Sequence, residues 1–99
     1  MMSLGELIRS HRQALGLTAA QLAEKVGAHP TYLQGMESGT KRPLRAEKLV
    51  KIARIVGLDP DEVCFLVGRI PPDLKAILLS DRQAVVWLRA YLRHQEDAA

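Results

Sequence analysis

The sequence predicts an all-α protein, with a five-helix domain over residues 1–68 and a C-terminal helical extension over residues 69–99. Three observations carry this. Apolar residues recur three and four positions apart along the chain, and no segment alternates with period two over a useful length. Several of these stretches are preceded by Ser or Thr with Glu or Gln three positions on, the pattern of a capping box. Gly and Pro punctuate the joints between them. With 47% hydrophobic residues and only 4% aromatic, the 99-residue chain can fill one aliphatic core.

The elements follow in order. Ser3 and Glu6 cap a helix near 4–15, with Leu4, Leu7, Ile8 and Leu15 as its buried stripe and Gly16 at its end. Thr18 and Gln21 open a second helix, on which Ala19, Leu22, Ala23 and Val26 share a face. Gly27 ends it, because glycine adopts the left-handed conformation of a helix terminus at no steric cost. Pro30 suits the first position of a third helix. Leu33 and Met36 point back to the core, and Gly39 stops that helix. The loop 38–44 leads to a fourth helix near 45–56, with Leu49, Ile52, Ala53 and Val56 inward and Gly57 as terminator. Asp59-Pro60 starts a short fifth helix whose apolar residues are Val63, Leu66 and Val67.

After Gly68, Pro71-Pro72 restricts the backbone and begins a new element. Residues 73–79 read as helical, and Ser80 with Gln83 caps a helix near 81–95. Its apolar residues, from Ala84 to Leu92, exceed the stripe needed to pack on one surface. Such a helix is expected to have two burial partners, its own domain and a second copy of the chain. Trp87 and Tyr91 are the expected dimer contacts, with Val85, Leu88 and Leu92 shared between core and interface.

Function is concentrated in residues 17–39. Two short capped helices joined by a tight turn form a helix-turn-helix, whose second helix can enter a DNA major groove. Many ordinary helical hairpins share the capping pattern, so the larger frame of helices matters to the assignment. Charge agrees with it. Residues 1–58 carry nine Lys/Arg against four Asp/Glu, whereas residues 59–99 carry five against seven. A basic first half suits a polyanionic partner. Lys41, Arg42 and Arg45 cluster just beyond the third helix.

Enzyme chemistry finds no foothold. His11, His29 and His94 have no metal-ligand spacing with one another or with Cys64. Asp59, Asp61 and Glu62 sit at a helix start, where the helix dipole accounts for them. No phosphate-cradling Gly loop or nucleophile motif is present, so neither metal nor cofactor is expected. Cys64, the single cysteine, excludes an internal disulfide and reads as a small core residue. There is no run of about 18 apolar residues and no signal-peptide pattern, so no membrane partner is expected and the chain fits a cytoplasmic protein.

Arg-Gln-Ala-Leu-Gly-Leu-Thr at 12–18, Leu-Ala-Glu-Lys-Val-Gly at 22–27, Tyr-Leu-Gln-Gly-Met-Glu-Ser-Gly at 32–39 and Leu-Val-Lys-Ile-Ala at 49–53 stand in the order and spacing of a known family. Over residues 4–66 the chain resembles the Xre family, the phage Cro/CI repressor-like DNA-binding proteins. Thr-Tyr-Leu-Gln-Gly-Met-Glu also resembles the restriction–modification controller branch. The resemblance implies a lambda-repressor-like fold, a prokaryotic or phage origin and a dimeric transcriptional regulator, a repressor, on an inverted-repeat operator in double-stranded DNA. It also implies that Arg12, late in the first helix, pairs with Glu37 at the end of the recognition helix.

The chain departs from the family at three positions. Ala19 stands where many members carry a Gln that reaches a phosphate. Pro30 replaces a polar first reader, and Gly35 stands where a long polar side chain reads bases. The DNA-facing set is therefore Ala19 and Gln21 at the start of the second helix, Thr31, Tyr32, Gln34 and Gly35 on the third, and Lys41, Arg42 and Arg45 after it. Thr31 can meet a thymine methyl and Gln34 can pair with adenine, while Tyr32 is expected at a phosphate. So short a list of readers shifts affinity toward backbone contacts and DNA shape. It also leaves open an alternative on the same fold: an antitoxin or regulator acting mainly by hetero-oligomerisation.

Overall fold

The first helix starts at its capping box. The Ser3 hydroxyl accepts from the Glu6 N–H at 3.2 Å, and the Glu6 carboxylate accepts from the Ser3 N–H at 3.4 Å. The computed structural model describes residues 2–98, and among them all regular structure is helical. The helices are α1 (Leu4–Ala14), α2 (Ala19–Val26), α3 (Pro30–Ser38), α4 (Ala46–Val56), α5 (Pro60–Leu66), α6 (Pro72–Ser80) and α7 (Arg82–Ala98). None is long and apolar enough to cross a membrane.

Helices α1 to α5 enclose one core. Ile8, Leu22, Leu33, Leu49, Ile52, Val63 and Cys64 are fully buried, and Leu4, Ala19, Ala23, Val26, Met36, Ala53 and Val56 complete it. Each large aliphatic side chain so buried contributes about 1.5–3 kcal/mol. Helix α3 lies against α1 and α2, and α4 against α1, α2 and α5. The helix that would read DNA is thus held from behind on a rigid apolar base.

Two details of this body differ from the sequence expectation. Leu15 is 56% exposed rather than part of the α1 stripe. Its N–H closes the helix on the Arg12 carbonyl at 3.1 Å, and Gly16 then turns the chain with φ +72°. Leu15 therefore lies past the last turn, and Arg12 occupies the inward position instead. Leu66 and Phe65 are also exposed, because the short α5 turns only Val63 and Cys64 inward.

The C-terminal segment departs further. Helix α7 runs to Ala98, beyond the expected end near 95. Its start is set by Asp81, whose carboxylate accepts from the Gln83 N–H at 2.9 Å. Ser80 is still inside α6 and turns its hydroxyl back to the Ala76 carbonyl at 2.7 Å, so the expected Ser80–Gln83 box does not form. Helices α6 and α7 pack on each other, and neither carries a buried residue. Val85, Leu88 and Leu92 are 42%, 41% and 47% exposed, so the expected sharing with the core does not occur. The hairpin stretches the molecule to 47 × 30 × 23 Å, with a radius of gyration of 16.2 Å; a compact domain of this length has about 13 Å.

Candidate nucleic-acid interface

Helices α2 and α3 and the turn between them are fixed by local bonds. Thr18 Oγ1 accepts from the Gln21 N–H at 3.0 Å, and Gln21 Oε1 accepts from the Thr18 N–H at 2.8 Å. That leaves the Gln21 side-chain NH2 as an outward donor at the start of α2. The Ala19 side chain is buried, so its main-chain amide is what it offers to an anion. At the turn Gly27 has φ +71°, and Ala28 N–H bonds the Ala23 carbonyl at 2.8 Å. The Lys48 ammonium donates to the Gly27 carbonyl, tying α4 to the turn. His29 Nδ1 accepts from the Thr31 N–H at 3.2 Å and so caps α3.

On α3 itself, Leu33 and Met36 face the core while Thr31 and Gln34 are exposed. Glu37 is buried with Arg12. Arg12 Nε donates to Glu37 Oε2 at 2.9 Å, and Nη2 donates to Oε1 at 2.8 Å. The third branch, Nη1, donates to the Leu17 carbonyl at 2.8 Å. The guanidinium therefore clamps the end of α3, the end of α1 and the α1–α2 link at once. The Glu37 hydrogen bonds hold the Arg12 pKa above its ordinary value, against the opposing effect of burial. Behind this pair, Gly5 lets the α1 backbone touch α3. A Cβ there would meet the Glu37 carbonyl oxygen and lie 2.7 Å from that of Met36.

The loop after α3 is folded back onto the helix. The Gly35 carbonyl accepts from Thr40 N–H at 2.8 Å, Lys41 N–H at 3.1 Å and the Thr40 hydroxyl at 3.2 Å. The Tyr32 hydroxyl donates to the Arg42 carbonyl at 2.9 Å. The Lys41 stem crosses directly over Gly35, where a Cβ would overlap its Cγ. Gly35 is thus the place where a basic side chain passes over the helix rather than a vacant reader position. Tyr32 is a strut for the loop, its hydroxyl proton already given to protein. Lys41, Arg42 and Arg45 are exposed.

Sequence reasoning overlooked Gly5, the Gly35–Lys41 crossing and the Tyr32 strut. Only Gly5 carried a signal: glycine in the first turn of a helix costs up to about 1 kcal/mol relative to alanine, which asks for a packing reason. The remaining candidates lie apart. Val85, Trp87, Leu88, Tyr91 and Leu92 are all on α7, and the Trp87 and Tyr91 rings stack in solvent with centroids 5.8 Å apart. A cleft of about 470 Å³ between α6 and α7 is lined by Leu74, Ile77 and Leu78 with Ala84, Trp87 and Leu88. Among the described residues, no group of three His, Cys, Asp or Glu side chains is placed to hold a metal. Burial, aided by Asp61 and Asp73, raises the Cys64 thiol pKa and keeps it protonated.

Residues 3–66 match the family described as a helix-turn-helix domain. Over 63 residues the chain is 36% identical to the cryptic phage CTXphi transcriptional repressor RstR of Vibrio cholerae serotype O1, a stretch that is 64% of this chain and 55% of that protein. The chain thus spans about half the length of this curated relative. No solved structure gives a significant match.

Proposed function

The chain belongs to the helix-turn-helix domain family, and on that premise we propose that it is a DNA-binding transcriptional regulator whose α3 enters the major groove. The observation that carries the reading is the basic loop folded onto α3 through the Gly35 carbonyl and the Tyr32 hydroxyl. It sets Lys41 and Arg42 at a fixed place beside the reading helix, where phosphates flank a groove. Thr31 and Gln34 are the base readers. The Gln21 amide, the Ala19 main-chain N–H, Lys41, Arg42 and Arg45 hold the backbone, and the identity to a phage repressor supports repression as the outcome.

The regulator acts as a homodimer built on α6 and α7. A compact monomer of 11.0 kDa exposes about 5,600 Å², whereas this chain exposes 7146 Å². The surplus, about 1,500 Å², is what one partner of a large obligate dimer buries. Two recognition helices spaced about 34 Å apart then read an inverted repeat in successive major grooves.

The test is fluorescence anisotropy with duplex DNA from upstream of the chain's own gene, at two salt concentrations. Gln34→Ala is expected to lose sequence preference and Lys41→Ala with Arg42→Ala to weaken binding to every sequence. Absence of salt-dependent binding by the wild type rejects the reading.

A further inference from the structure

The segment after α5 shares a cleft with the start of α4. The cleft has a volume of about 470 Å³, and its polar lining is Arg45 from the α4 N-cap, Glu47, Arg69 and Lys75. Three cations and one carboxylate converge there. Among the described residues none of the three cations has a carboxylate within 4 Å; the Arg12–Glu37 bridge is the one ion pair at that distance. The nearby Asp73 carboxylate is turned to the Leu74 N–H at 2.9 Å.

The cations stand on fixed backbone. Helix α5 closes with Val67 N–H on the Cys64 carbonyl at 3.2 Å, and Gly68, at φ +69°, reverses the chain. Arg69 N–H then returns to the same Cys64 carbonyl at 2.9 Å. Pro71 and Pro72 stiffen the link, and Lys75 N–H bonds the Pro71 carbonyl at 2.9 Å in the first turn of α6. Arg45, Arg69 and Lys75 are exposed to solvent, and three cations against one carboxylate on a concave wall leave a net positive field for an approaching anion.

The occupant follows from continuity. Pro43, at the end of the Lys41–Arg42 loop, lines the same cleft, and Arg45 belongs to both basic groups. Arg45 thus links the loop after α3 to the cleft at the start of α6. We propose that Arg45, Arg69 and Lys75 form a second phosphate-binding site, in which the segment 69–75 carries the DNA backbone onward from the recognition helix. The proposal rests on the reading of the chain as a DNA-binding protein. It gives the C-terminal extension a DNA-contacting role besides dimerisation, and it moves the edge of the DNA surface past residue 68.

Phosphate contacts are independent of sequence, so the probe is mixed-sequence duplex DNA of about 30 bp, long enough for two half-sites. Affinity is measured between about 50 and 200 mM salt. Wild type is compared with Lys41→Ala/Arg42→Ala, Arg69→Ala/Lys75→Ala and Arg89→Ala/Arg93→Ala. Removing one phosphate-binding cation lowers the slope of log K against log salt by about 0.9, so Arg69→Ala/Lys75→Ala is expected to reduce it by about 1.8 for each protomer bound. The Arg89/Arg93 variant removes the same charge from α7 and is expected to keep the wild-type slope. Circular dichroism melting and sedimentation check that fold and assembly are unchanged, as the exposure of all four residues implies. A wild-type slope in Arg69→Ala/Lys75→Ala overturns the proposal while the loop variant still reports on the parent reading. An equal fall in the Arg89/Arg93 variant overturns it as a net-charge effect, and a fall accompanied by loss of the dimer overturns it as an assembly effect. If the wild type shows no salt-dependent binding, both readings fall.

Discussion

Helices α4 and α7 are both amphipathic, yet α4 buries Leu49, Ile52, Ala53 and Val56 while α7 buries nothing. The contrast extends to the regions around them. In residues 4–66 every large apolar side chain on an inward face meets another helix, and the two buried charges, Arg12 and Glu37, meet each other. In residues 72–98, Leu74, Ile77, Trp87, Tyr91 and Leu92 are each about half exposed or more. Apart from Leu15, Phe65 and Leu66, the body completes its packing within one chain. The hairpin has the composition of a core half without the other half, the feature on which the proposed dimer rests.

Breaking the body at its buried charge gives the largest expected effect. Arg12→Ala strands Glu37 and unties α3 from the α1–α2 link, so urea unfolding is expected to show a loss of about 3–5 kcal/mol. A loss below about 1 kcal/mol would class the pair with surface bridges. Gly5→Ala comes next. Its Cβ meets main-chain oxygens of α3 that cannot rotate away, so α1 and α3 must separate, at about 1–3 kcal/mol. If Gly5→Ala instead raises Tm, as an unhindered alanine in a helix does, the close approach of the two helices is wrong.

Most of the body was legible in the sequence because its signals are local. Ser3–Glu6 and Thr18–Gln21 are three residues apart, and the capping boxes they announce are present. The apolar spacing of α2 and α4 gave their buried residues without exception. What failed depended on contacts distant in sequence or on competition between neighbours. Leu15 has the right spacing for the α1 stripe, but the chain reverses one residue later. Ser80 has the right partner three residues on, but Asp81 offers a carboxylate to the same helix end. At the candidate site, exposure of Thr31 and Gln34 followed from periodicity. The Gly35 crossing did not, because a glycine records only that something lies close, not what lies there.

Breaking the hairpin leaves the body intact. Trp87→Ala removes the largest exposed apolar side chain of α7. By analogy with anchor residues of protein interfaces it is expected to weaken dimerisation by about 2 kcal/mol, roughly thirtyfold in Kd. The unfolding midpoint of the monomer should hardly move, since Trp87 stands on a helix that adds nothing to the core. A chain ending at Gly68 is expected to sediment as a monomer and still melt cooperatively. Dimers of unchanged Kd in both would place the interface elsewhere, and a wild type that stays monomeric at high concentration would remove the interface altogether.

The smallest effect sharpens the comparison within the body itself. Tyr32→Phe removes one exposed hydrogen bond, the hydroxyl to the Arg42 carbonyl, and alters no charge. Stability should fall by no more than about 1 kcal/mol, because water replaces the lost donor at the exposed Arg42 carbonyl. DNA binding should suffer by a comparable amount, about fivefold, if the strut prepays the ordering of Lys41 and Arg42. The salt dependence separates this from removal of a phosphate-binding group. The cations are still present, so the slope of log K against log salt should match the wild type while the whole line drops. A flatter slope would mean that Lys41 or Arg42 leaves its phosphate once the strut is cut. An unchanged line would mean that the remaining bonds to the Gly35 carbonyl hold the loop without it, leaving α3 and its basic loop as rigid as the core beneath them.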